Sequence, residues 1–185
     1  MSPRLVMLDR DGVLNVDRPD SVKTPDELVL LPGAAAAVAR LNRAGLHVAL
    51  VSNQSVVGRG VISPAMLERI QDRLREALAR EGARLDFAAL CTDPPWAASE
   101  RRKPGAGMLR EVLRRFSLSP SQAVMIGDSL GDLQAAAAAG CGRILVRTGK
   151  GAATQAAGIP ADILPVAVRA DLAEAVAHVL DGGQG

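Results

Sequence analysis

The sequence predicts an α/β fold: a Rossmann-like, mostly parallel sheet flanked by helices, with no cap domain. Two observations predict it. Short apolar runs of strand length recur along the chain, and stretches with helical spacing separate them. With 185 residues, 48% of them hydrophobic, the chain is long enough to bury a sizeable core, and a single domain over 1–185 is expected.

Leu5–Asp9 reads as a buried strand. Residues 13–32, with Pro19, Pro25 and Pro32, read as irregular. Ala34–Ala44 is rich in helix formers and stops at Gly45, which suits the left-handed position after a helix. His47–Ser52 is a second strand. Ser63-Pro64 has the form of an N-cap followed by proline in the first turn, and Leu67, Ile70, Leu74 and Leu78 keep helical spacing to about Arg80. Leu85–Cys91 reads as a third strand, Met108–Phe116 as a helix, Ala123–Gly127 as a fourth strand, Leu130–Ala139 as a helix ended by Gly140, and Arg143–Val146 as a fifth strand. Residues 150–170 fit no single pattern. Leu172–Leu180 reads as a helix, and the Gly-Gly-Gln-Gly tail as frayed.

Composition excludes several classes. A net charge of +2 implies no broad basic face, and 2% aromatics with no tyrosine provide no base-stacking platform, so nucleic-acid binding is not expected. The charges of Glu68–Glu81 alternate in sign, as on a solvated helix face. No apolar run approaches the roughly 18 residues that cross a membrane. The chain enters a strand almost at once without a signal-peptide layout, and its two cysteines, Cys91 and Cys141, make no disulfide framework. Cytoplasmic residence and a monomer are expected.

The chemistry lies at strand ends. Asp9 and Asp11 follow the run Leu5–Leu8 with i, i+2 spacing, which in extended geometry points both carboxylates to one face. Two carboxylates that close repel unless a cation sits between them or one keeps its proton. Ser52-Asn53 ends the second strand, Asp128 ends the fourth, and Lys103 precedes a helix. In parallel α/β sheets, ligands bind beyond the carboxyl ends of the strands, where these residues fall.

Together Asp9, Asp11, Ser52, Lys103 and Asp128 make a phosphoryl-transfer set. Asp9 is expected to attack phosphorus and Mg²⁺ to neutralise the approach of two anions. The metal ligands would be the side chains of Asp9 and Asp128 and the backbone carbonyl of Asp11. Lys103 and the Ser52 hydroxyl would hold the phosphoryl oxygens. Asp11 would stay protonated, protonate the departing alkoxide and then activate water.

Each residue taken alone has a plainer reading. Asp-x-Asp-Gly is most often a turn, Ser52-Asn53 a strand-end turn, Arg101-Arg102-Lys103 a solvated charge run, and Gly127-Asp128 a strand-to-helix turn. Asp132 fits a supporting or helix-surface position better than direct ligation. Trp96 reads as a loop anchor rather than a substrate platform. His47 and His178 read as structural, and Cys91 and Cys141 as small buried hydrophobes.

The segments Asp9-Arg10-Asp11-Gly12-Val13, Val51-Ser52-Asn53-Gln54, Arg102-Lys103-Pro104 and Gly127-Asp128-Ser129-Leu130-Gly131-Asp132 resemble the four ordered motifs of the haloacid dehalogenase superfamily. The second aspartate places the resemblance on that superfamily's phosphatase side. A finer likeness is to the D-glycero-D-manno-heptose-1,7-bisphosphate 7-phosphatases. It rests on Asp9 through Asn15, Ser52-Asn53-Gln54-Ser55 with Arg59-Gly60, Arg102-Lys103-Pro104 with Gly107-Met108, and Val146-Arg147-Thr148-Gly149. The resemblance implies that Asn53, Arg59 and Arg102 bind the phosphate or sugar portion of a small phosphorylated sugar.

Those relatives carry a zinc loop of Cys-Pro-His and Cys-x-Cys, of which only Cys91 is present here; no zinc is expected, and Trp96 packing and the prolines would order residues 92–102. Val56 and Ala106 replace a common glycine and proline. Neither 13–32 nor 92–102 is long enough for a cap domain. The expectation is a Mg²⁺-dependent phosphomonoesterase removing the 7-phosphate of the heptose bisphosphate through an aspartyl-phosphate. The other readings are a histidinol-phosphate phosphatase, a broad-specificity sugar phosphatase, and a non-catalytic phosphosugar-binding module.

Overall fold

A computed structural model describes residues 3–182. Six strands form one sheet: β1 (Leu5–Leu8), β2 (His47–Asn53), β3 (Phe87–Cys91), β4 (Ala123–Gly127), β5 (Gly142–Val146) and β6 (Ala167–Arg169). Their order is β3-β2-β1-β4-β5-β6, with every neighbouring pair parallel. The helices are α1 (Ala34–Arg43), α2 (Ser55–Gly58), α3 (Pro64–Ala79), α4 (Gly107–Phe116), α5 (Leu130–Ala139), α6 (Gly151–Ala157) and α7 (Leu172–Leu180).

Burial on both sheet faces explains why the strands read as unbroken apolar runs. Val6 and Leu8 of β1 face one layer, with Val38 and Leu41 of α1, Ile70 and Leu74 of α3, and Val176 of α7. Leu5 and Met7 face the other, with Leu109 and Val112 of α4 and Ala135 and Ala136 of α5. No separate cap domain is present among the described residues: 13–32 and 92–102 are loops with single short turns at Pro25–Glu27 and Pro95–Ala97.

Helix ends fall where their chemistry places them. The Ser63 hydroxyl accepts the Met66 N–H at the start of α3, and Gly140, at φ +78°, closes α5. Three elements depart from expectation. Residues 150–170 resolve into α6, a single turn and the sixth strand. A four-residue helix, α2, follows the second strand. Strand β1 stops at Leu8, one residue short, so Asp9 and Asp11 lie beyond it rather than on it. Of the tail expected to fray, residues 183–185 lie outside those described.

The chain builds β1, β2 and β3 to one side, then returns through β4 to build the other. The crevice between β1 and β4 is thus the point where strand order reverses, the usual ligand position in such sheets.

Candidate active site

Beyond the C-terminal ends of β1, β2 and β4 lies a cavity of about 410 Å³, lined by Asp9, Asp11, Asn53, Arg59, Arg102, Lys103, Asp128 and Asp132 among others. A larger hollow of about 520 Å³ opens at the opposite ends of β4 and β5, beside Ala123 and Gly142, without a comparable acidic set.

Asp9 is held by the edge of β4, its N–H donating to the Ile126 carbonyl at 3.1 Å. The chain then turns tightly: Leu14 and Asn15 N–H groups donate to the Arg10 carbonyl at 2.8 and 3.1 Å. Asp9 and Asp11 therefore share the cavity through a turn, not through strand alternation. Gly12 (φ +83°) and Gly149 (φ +56°) flank Asp128, and a Cβ at either would lie 2.0 or 2.2 Å from its Oδ2. Only glycine lets both backbones close on that carboxylate. Its Oδ2 accepts the Lys150 N–H at 2.8 Å.

Lys103 reaches the same centre from the loop before α4. Asn53, at the end of β2, clamps its backbone twice, donating to the Lys103 carbonyl (3.0 Å) and accepting its N–H (3.1 Å). Both ends of the Asn53 amide are thus spent on placing Lys103. The ammonium donates to the Val51 carbonyl at 2.7 Å. It lies 3.1 Å from Asp9 Oδ1 and 2.6 Å from Asp132 Oδ1.

Two expectations, at Ser52 and Asp11, need correction. Asp132, expected in a supporting or helix-surface position, takes the supporting one and is fully buried. One of its oxygens meets Lys103, and the other accepts the Ser129 hydroxyl (2.7 Å) and N–H (3.0 Å) in the capping box of α5. Ser52 is buried behind the cavity wall, where its hydroxyl accepts from the Gln54 amide at 3.0 Å. Asp11 is not poised as a neutral acid. Burial raises its pKa, but Arg10 and hydrogen bonds from Asn15 and Gln54 outweigh that and hold it below the ordinary carboxylate range.

The loop 92–102 is not ordered by Trp96, which is 74% exposed. Polar contacts hold it instead. Asp93 Oδ2 accepts from the Ser99 N–H and hydroxyl (2.9 and 2.5 Å), Arg102 donates to the Asp93 carbonyl (2.9 Å), and Arg101 pairs with Glu111. Arg102 is thereby fixed at the cavity wall, which Arg59 also lines.

Sequence reasoning also missed Arg10, Gln54 and Gln71, all buried. Arg10 and Gln54 stand inside the motif segments without a role of their own, and Gln71 reads as an ordinary surface polar residue; folding brings Gln71 to Arg10, and Gln54 to Asp11 and Ser52.

Among the described residues, one group of potential metal ligands gathers: oxygens of Asp9, Asp128 and Asp132 within 4.8 Å of one another. The electrostatics call for a cation there. Burial raises the Asp9 pKa to about 6, with Lys103 opposing and Asp132 and Asp11 adding to it. Burial and then Asp9 push Asp128 to about 7. Oxygen donors of this charge suit Mg²⁺. Among the described residues no cysteine–histidine set gathers at Cys91, and the sequence carries no zinc-binding motif.

These shifts carry a testable sign. Both folded-state pKa values exceed the unfolded carboxylate value near 4, so the protonated forms stabilise the metal-free fold, fully below about pH 4 and decreasingly as pH rises through 6–7. Mg²⁺ should therefore raise the melting temperature over an EDTA control by an amount that grows from pH 5 to pH 8. A shift that is flat or shrinks over that range would contradict the acidic cage.

Comparison with known proteins agrees with this geometry. A HAD-hydrolase-like family model matches residues 100–175. The chain is 42% identical over 160 residues to a D-glycero-beta-D-manno-heptose-1,7-bisphosphate 7-phosphatase of Pseudomonas aeruginosa, covering 86% of this chain and 90% of that one. It is 44% identical over 155 residues to the protein of that name from Bordetella bronchiseptica, with 84% and 87% covered. A crystal structure of D,D-heptose 1,7-bisphosphate phosphatase from B. bronchiseptica, complexed with magnesium and phosphate, superposes with a TM-score of 0.91 at 42% identity, covering 98% of this chain and 99% of that one.

Proposed function

We propose that this chain, which belongs to the haloacid dehalogenase superfamily and within it to the heptose-bisphosphate phosphatases, removes the 7-phosphate of D-glycero-D-manno-heptose 1,7-bisphosphate. The chain is a Mg²⁺-dependent phosphatase with an aspartate nucleophile. The observation that carries the substrate is 42–44% identity to heptose-bisphosphate phosphatases over 84–86% of the chain. It is supported by the cavity wall, where Arg18, Arg59, Arg102 and Lys150 supply the positive charge that a second phosphate requires.

In this reading Asp9 attacks phosphorus and becomes the aspartyl-phosphate. Lys103 stays protonated, because Asp132 and Asp9 more than offset its burial and raise its pKa, and it neutralises the transferring oxygens. Asn53 fixes Lys103 by its backbone, and Asp132 holds the ammonium from behind. Asp9 and Asp128 side chains, with the Asp11 carbonyl, would hold Mg²⁺. When bound, Mg²⁺ supplies charge neutralisation at the phosphoryl group. Asp11 passes a proton to the leaving oxygen and later takes one from water. Ionised at rest, it acquires that proton as the substrate's anionic charge enters. Arg59 and Arg102 hold the sugar phosphate. The whole chain, 1–185, acts as one catalytic domain; no described helix is long and apolar enough to cross a membrane, and we place the enzyme in the cytoplasm.

A substrate panel scored by phosphate release tests the assignment. The heptose 1,7-bisphosphate should exceed histidinol phosphate in kcat/KM by at least ~10²-fold, the discrimination expected when a site built for a charged group meets a ligand lacking it. Equal rates across the panel would indicate a broad-specificity phosphatase, and ligand binding without turnover would remove the enzyme reading.

A further inference from the structure

Arg10 is the largest of the fully buried side chains among the described residues, and it is a cation. One guanidinium nitrogen, Nη2, meets both oxygens of Asp11, at 3.1 and 3.2 Å. The other, Nη1, donates to Gln71 Oε1 at 3.1 Å. Gln71 is itself buried, on a face of α3 otherwise given to Leu67, Ile70 and Leu74. The Nε–H finds no acceptor among the described residues.

Two further donors complete the carboxylate: Asn15 to Oδ1 and Gln54 to Oδ2, both at 2.9 Å. A carboxylate offers about four acceptor positions, and here each oxygen receives two N–H groups. Arg10 contributes one to each, so Asp11 cannot rotate without losing the charged contact on both. A buried cation with an unmet N–H is a costly way to stabilise a fold, since apolar packing of equal volume often does as well or better. Its geometry serves orientation instead.

We propose that Arg10 is a positioning residue: anchored on α3 by Gln71, it holds the Asp11 carboxyl in one orientation at the wall of the phosphoryl cavity. This rests on the reading of Asp11 as the acid and base of the reaction. The anchor makes α3, which supplies none of the residues assigned to the phosphoryl chemistry, part of the machinery that aims one.

The test is a double-mutant cycle on the full chain with Mg²⁺, using the best substrate of the panel. Arg10→Gln should lower kcat roughly 10–100-fold with KM changed less than about twofold, a part of the ~10²–10⁴ that a general acid and base contributes. In the Asp11→Asn background the same substitution should cost less than about threefold, because coupled residues are non-additive. An equal loss in both backgrounds, or no loss in the parent, overturns the inference. If Asp11→Asn alone leaves kcat within about tenfold, the assignment of Asp11 itself fails, and the inference falls with it. Should Arg10→Gln not fold, Gln71→Met removes the anchor alone. It should lower kcat about 3–10-fold in the parent and not in Asp11→Asn, and equal losses there overturn the inference as well.

Discussion

Asp9→Asn should abolish phosphate release while leaving the fold intact. Loss of a nucleophile that no neighbour replaces costs on the order of 10⁴-fold or more in kcat. The fold should survive because the Asp9 side chain makes no structural hydrogen bond beyond its own turn and the Lys103 pair. The neutral amide also removes a carboxylate that burial and the nearby Asp132 and Asp11 disfavour, so the metal-free variant should melt no lower than the parent at neutral pH. It should lose most of the stabilisation by Mg²⁺, having lost a ligand. Circular dichroism melts with and without Mg²⁺, beside steady-state phosphate release, check all three. Turnover within about 100-fold of the parent would exclude Asp9 as nucleophile.

Lys103→Met should damage activity and stability together. Lys103 is 6% exposed, and its ammonium compensates two carboxylates, one of them the fully buried Asp132. Removing one partner of a buried ion pair leaves an uncompensated charge and costs about 3–5 kcal/mol. The transition state loses a fixed cation as well, worth roughly 10²–10³-fold in kcat. The two effects separate in the double variant Lys103→Met/Asp132→Asn. Neutralising the orphaned carboxyl should restore much of the melting temperature and none of the rate. Recovery of rate along with stability would mean that Lys103 acts only in folding.

The parts of the fold that were legible are those whose local and tertiary demands coincide. Leu5–Leu8 and Ala123–Gly127 read as strands because burial on both faces makes them continuously apolar. The ends of α1, α3 and α5 were visible in Gly45, Ser63 and Gly140, whose backbone or hydroxyl chemistry acts within one turn. Strand β6, three residues at a sheet edge, and α2, a single turn, carry too little periodicity to be read.

At the site, residue identity was legible and residue environment was not. Asp9, Asp11, Lys103 and Asp128 do line one cavity. The protonation state of Asp11 depends on Arg10, Asn15 and Gln54, which only folding brings around it. Trp96 shows the same limit. A large hydrophobe was expected to pack, but hydrogen bonds through Asp93 order its loop and leave the indole in solvent.

The central claim is that the phosphoryl group passes through the carboxylate of residue 9. Acid quenching of the Mg²⁺ enzyme during turnover, borohydride reduction and peptide mass spectrometry read this directly. The account predicts homoserine at position 9 and unmodified aspartate at 11, 128 and 132. An acyl-phosphate trapped at any of those three, or reduction at no aspartate while the intermediate step limits turnover, would contradict it.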